Sequence, residues 1–93
     1  MKNNFLVGYD ISDERRLAKV AKVLKEFGSR IQYSFFHCFL SDSQKERMKE
    51  RHKAVIDEEE DQVVIVPVTE RQLKNVESLG FKLHLEVEGV IIV

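Results

Sequence analysis

Cysteine and proline each occur once in these 93 residues, and tryptophan does not occur at all. The four glycines form neither a phosphate-cradling loop nor a nucleophile elbow. The lone Cys38 excludes an internal disulfide and any multi-cysteine metal knuckle, and in its apolar run it reads as a small buried hydrophobe. His37, His52 and His84 lie too far apart to share a metal-ligand spacing. There is no run of ~18 apolar residues and no charged-then-apolar leader, so neither a membrane span nor a secretion signal is expected. The expected compartment is cytoplasmic.

A chain this short buries only about two-thirds of its unfolded surface, which implies one domain that gains from self-association. The net charge is −1, but its distribution is uneven. From Arg15 to Lys53 there are 11 basic residues and 4 acidic ones, an excess of 11 − 4 = +7, and five consecutive acids, Asp57 to Asp61, then offset most of it. Segregated charge of this kind suits either a basic face for a polyanion or two ordinary solvated helix faces.

The first strand is predicted over Asn4 to Tyr9, apolar at nearly every position and therefore central. Ser12 or Asp13 caps a helix with Leu17, Val20, Ala21, Leu24 and Phe27 at spacings of three and four, ended by Gly28. Residues 30–40, "RIQYSFFHCFL", have strand composition, but the doubled Phe35-Phe36 spoils the alternation. One strand bent at a bulge and two strands joined by a tight turn both fit. Ser41 and Gln44 make a capping box for a charged helix reaching about Ile56, with a thin apolar stripe of Met48, His52, Val55 and Ile56. "DEEED" reads as a solvated connection, and "QVVIVPV" as a strand in which Pro67 marks an edge, a bulge or the end. A second capping box, Thr69 with Gln72, opens a short helix or turn.

The tail alternates Phe81, Leu83, Leu85 and Val87 against Lys82, His84, Glu86 and Glu88, a strand or hairpin with one wet face. This order of elements indicates an α+β domain of the split βαβ, ferredoxin-like type over 1–80. The terminal "GVIIV" would be a sticky edge in a monomer, so residues 81–93 are expected to pair with a second copy in a two-fold dimer.

Asp10 ends the central strand and directly precedes a helix start. Its carboxylate can cap the turn, or it can act as a hard oxygen ligand for Mg²⁺, which takes few protein carboxylates and keeps several waters. One aspartate is a sparse metal site, and a second copy from a dimer partner would complete it. Arg30, Arg15, Arg16 and Lys19 are candidate phosphate contacts, Arg by its bidentate fork and Lys as a point charge. Tyr9, Tyr33 and Phe36 could stack on bases or belong to the core.

The segments "YDISDERRLAKVAKVLKEFG", "RIQYSFFHCFLS" and "VVIVPVTE" closely resemble the small CRISPR-associated protein family that partners the spacer integrase in adaptation, known as Cas-two. The resemblance covers about the first 70 residues. It implies a ferredoxin-like βαββαβ protomer and a symmetric homodimer with the C-terminal strand exchanged across the interface. It also implies Mg²⁺ held between paired aspartates, here Asp10, with Tyr9, Arg30 and Phe36 around it as the catalytic set. The implied activity is metal-dependent endonuclease action on single-stranded RNA or double-stranded DNA. A non-catalytic role as a dimeric DNA-binding bridge for the integrase is the alternative that the resemblance also carries. Arg16 and Lys19 fall near the family's basic positions on the first helix, although some members have arginine where this chain has Leu17.

Overall fold

The structure, a computed structural model, describes residues 1–80 in full and residues 85–87 and 90–92 as backbone. Its elements run β1 (Lys2–Asp10), α1 (Glu14–Phe27), β2 (Gly28–Gln32), β3 (Phe35–Ser41), α2 (Asp42–Lys53), β4 (Gln62–Val68), α3 (Glu70–Lys74), β5 (Leu85–Val87) and β6 (Val90–Ile92). The first four strands form an antiparallel sheet in the order β2-β3-β1-β4. With α1 and α2 as crossovers, this is the ferredoxin-like arrangement, and β1 is central as its apolar run requires.

Local chemistry sets most boundaries. Asp13 caps α1, its Oδ2 accepting from the backbone N–H groups of Arg15 and Arg16 at 3.0 Å each. Ser41 with Gln44 and Thr69 with Gln72 form the two expected capping boxes. The charged helix α2 stops at Lys53, short of Ile56, and a turn carries the rest. Residues 30–40 resolve into two strands joined at Tyr33-Ser34, with a register shift between Arg30 and Gln32 that leaves Ile31 as a bulge. Of the two readings, two strands joined by a tight turn is the one present; the bulge at Ile31 is a separate feature, away from Phe35-Phe36.

Gly28 does end α1, but not through a left-handed turn. Its φ of −168° is extended backbone. What requires glycine is close approach: a Cβ there would collide with the His37 carbonyl oxygen and lie 2.6 Å from Cys38 Sγ.

Alternation along the strands creates two unequal faces. Toward α1 and α2, Phe5, Val7, Phe36, Cys38 and Leu40 pack against Val20, Val23, Leu24 and Met48. A buried side chain of this size contributes roughly 1.5–3 kcal/mol relative to exposure. On the opposite face α3 covers one end only, where Leu73 packs with Ile31, Leu6, Val68 and Val76. The rest of that face stays open: Phe35, Phe39, Val64 and Val66 are 44, 52, 41 and 42% exposed.

β5 and β6 pair with each other in a two-stranded sheet separate from the main one. The expected exchange of the C-terminal strand rests on 81–93, and residues 81–84, 88–89 and 93 lie outside the described residues. Among the described residues, no helix is long and apolar enough to cross a membrane.

Candidate metal and nucleic-acid site

The tip of β1 is held from both sides. The Tyr9 N–H donates to the Ser34 carbonyl at 3.1 Å and the Tyr9 hydroxyl donates to the Tyr33 carbonyl at 3.0 Å, tying the tip to the β2–β3 turn. The Tyr9 ring also packs on Phe36, with centroids 6.4 Å apart. Arg30 pairs with Phe36 across β2 and β3 and holds its guanidinium 5.2 Å from the same ring. Tyr9, Phe36 and Arg30 are thus brought together. Phe36 is fully buried, so its part is to support Tyr9 and Arg30; it offers no face on which a base could stack.

Asp10 pairs with Gln62 at the start of β4 and is exposed. The helix-capping duty open to it from sequence falls to Asp13 instead. Among the described residues, no hydrogen-bond donor engages the Asp10 carboxylate, which is therefore left with its lone pairs free. It lines a groove of about 350 Å³ along the open sheet face. The groove runs over Gly8, with Phe35 on one side and Val64 and Val66 on the other. Among the described residues, no cluster of three or more His, Cys, Asp or Glu side chains could hold a metal. One chain thus supplies one hard oxygen donor, which fits Mg²⁺ only if further donors come from elsewhere.

The basic residues separate into two groups. Arg15, Lys19 and Arg30 are exposed, available to an anionic partner. Arg16, predicted alongside them, is turned inward. Its Nε donates to Asp61 Oδ2 at 2.7 Å and its Nη2 donates to Glu60 Oε2 at 3.1 Å and to Ser12 Oγ at 3.2 Å. Its side chain is only 25% exposed.

This corrects the reading of "DEEED" as wholly solvated, because the side chain of Asp61 is completely buried. It accepts from the Ser12 N–H at 3.0 Å, the Ser12 hydroxyl at 3.2 Å and the Asp57 N–H at 2.9 Å besides Arg16. The Arg16 hydrogen bond, reinforced by these donors, holds the Asp61 carboxyl well below the usual carboxylate range, and the same pair raises Arg16. A sequence signal for Asp61 did exist: like Asp10, it is a carboxylate abutting an apolar strand.

His52, expected on the apolar stripe of α2, is buried there beside Val20 of α1. Among the described residues neither ring nitrogen makes a well-formed hydrogen bond, although the backbones of Val20 and Met48 lie alongside. Burial pushes its pKa down.

Residues 3–76 match the family model described as CRISPR associated protein Cas2. The chain is 35% identical to CRISPR-associated endoribonuclease Cas2 1 of Moorella thermoacetica, over 94% of this chain and 96% of the relative. It is 37% identical to CRISPR-associated endonuclease Cas2 2 of Thermus thermophilus, over 72% and 74%. Among solved structures, Streptococcus pyogenes Cas2 superposes with a TM-score of 0.76 at 32% identity, over 83% of this chain and 99% of that one.

Proposed function

The chain belongs to the CRISPR associated protein Cas2 family, and we propose that it is a metal-dependent endonuclease that works as a homodimer. Its substrates are the phosphodiester bonds of single-stranded RNA or double-stranded DNA, nucleic acids that it would meet in the cytoplasm. The observation that carries this reading is the Asp10 carboxylate, exposed and, among the described residues, unengaged at the end of the central strand, on the same side as an open apolar sheet face. Pairing two copies through that face would bring two Asp10 carboxylates together, the number that Mg²⁺ commonly takes from protein. Residues 81–93 would then act as the arm exchanged between copies.

When bound, Mg²⁺ supplies charge neutralisation at the phosphodiester and a more acidic water. The chain's own residues do the rest. Asp10 orients the reacting centre, and Arg30, steadied over Phe36, offers its fork to phosphate oxygens. The Tyr9 hydroxyl donates its hydrogen bond to the Tyr33 carbonyl and so fixes the turn beside Asp10. Cleavage by wild type beside Asp10→Asn, with and without Mg²⁺, tests this reading.

A second reading is favoured by the exposed cations of α1, Arg15 and Lys19. The dimer would hold duplex DNA as a non-catalytic bridge, with the tail docking the CRISPR integrase. Binding should then weaken by about 0.9 logarithmic units per phosphate neutralised for each tenfold rise in salt. A flat gel-shift response between 50 and 200 mM salt contradicts it, as does an integrase pull-down that survives removal of the last ten residues.

A further inference from the structure

We infer that Arg16 and Asp61 are positioning residues for Asp10, not contacts to nucleic acid, and that their clasp sets how well the strand tip holds a divalent cation. This rests on the reading of Asp10 as a metal ligand.

Asp10 is the last residue of β1, where a ladder ordinarily frays. Two residues later, the Ser12 N–H and hydroxyl are both bound to Asp61. Asp61 directly precedes Gln62, the cross-strand partner of Asp10. One buried carboxylate therefore ties together the two chain segments that flank Asp10, while Tyr9 ties the tip to the β2–β3 turn on the other side.

Arg16 makes the clasp rigid. Its fork reaches both Asp61 oxygens, at 2.7 and 3.3 Å, and also Glu60 and Ser12. Lysine, a point charge without the planar fork, cannot reproduce that set. The exposed pairs Lys49–Glu46 and Lys53–Glu50 lack any such burial and have no comparable constraint to impose. Holding the carboxylate in place before the metal arrives lowers the ordering cost of binding it. Supporting residues of this kind typically change metal affinity or activity by about 10–100-fold.

The test uses the full chain and the variants Arg16→Lys, Asp61→Asn, their combination, and Asp10→Asn. Binding of Mg²⁺ and Mn²⁺ is measured by titration calorimetry, together with kcat and KM for cleavage and the salt slope of RNA binding. Circular dichroism confirms folding. Arg16→Lys and Asp61→Asn are each expected to weaken metal binding about 10-fold and to lower kcat. KM for RNA and the salt slope should stay at wild-type values, and the combined variant should be no worse than the singles. Arg16→Lys keeps a positive charge beside the buried Asp61 carboxylate, so it decides the matter if Asp61→Asn fails to fold.

Unchanged metal affinity in folded clasp variants, while Asp10→Asn abolishes it, overturns the clasp inference alone. Weaker RNA binding and a higher KM in Arg16→Lys, from loss of the bidentate fork, with tighter RNA binding in Asp61→Asn, overturn it in favour of Arg16 as a phosphate contact. Wild-type metal binding and cleavage in Asp10→Asn overturn the metal reading itself, and the inference falls with it.

Discussion

Arg16 and Asp61, 45 residues apart in sequence, meet at 2.7 Å across the joint between the start of α1 and the start of β4. Five acids in a row look like solvent-exposed chain, yet the last is buried and satisfied by donors from three segments. Removing one member of a buried, hydrogen-bonded pair leaves the other charge or its donors unmatched.

The pair has a pH signature. The folded-state pKa of Asp61 lies below its ordinary 3.8, so its stabilising contribution is present above that value and disappears as pH falls below it. Asp61→Asn is expected to unfold at a lower urea concentration at pH 7 than wild type. The difference should shrink below pH ~3.8. An equal gap at pH 7 and in strong acid contradicts this.

His52 acts in a different window. Its folded-state pKa is lowered from 6.5 by burial, so the unfolded chain takes up the proton first and stability falls as pH drops below 6.5. His37 is lowered by burial as well and contributes to the same window. Each can add at most about 1.36 kcal/mol per pH unit. His52→Phe should flatten the urea-midpoint profile between pH ~6.5 and 5 without abolishing its slope.

Gly28→Ala should cost about 1–3 kcal/mol in urea unfolding, because the new methyl has no room between the His37 carbonyl and Cys38 Sγ. A loss under ~0.5 kcal/mol, the range of an ordinary surface change, contradicts the close-approach account.

Self-association through the open sheet face is testable at Val64, which is 41% exposed and opposite Gly8. Val64→Lys is expected to weaken the dimer at least tenfold in sedimentation equilibrium while leaving the monomer folded. An unchanged dimer points to a different interface.

How much of this was legible in sequence follows from the range of each interaction. The Asp13 cap and the two capping boxes join residues two or three positions apart, so local pattern was enough to locate them. Central placement of β1 followed from its unbroken apolar run. A tight turn and a bend at Phe35-Phe36 are not separable in sequence, since alternation cannot distinguish a bend from a break when phenylalanines stand on both faces, and nothing local marks the bulge at Ile31. Asp61 and Arg16 were missed as a pair because nothing local brings them together. Their roles as filler acid and free cation were the reasonable local readings. Asp10 is divided between cap and ligand by local pattern, and the structure gives the helix cap to Asp13.

The central claim is that Asp10 is where this Cas2 family member holds its metal and cuts. The most direct measurement is Mg²⁺-dependent cleavage of single-stranded RNA and duplex DNA by wild type and Asp10→Asn, purified identically, with dimerisation and nucleic-acid affinity measured on the same samples. The account predicts that Asp10→Asn loses cleavage of whichever substrate wild type cuts, by at least a hundredfold, while dimer and affinity are retained. Equal cleavage by the two proteins, at equal purity and equal Mg²⁺, contradicts it.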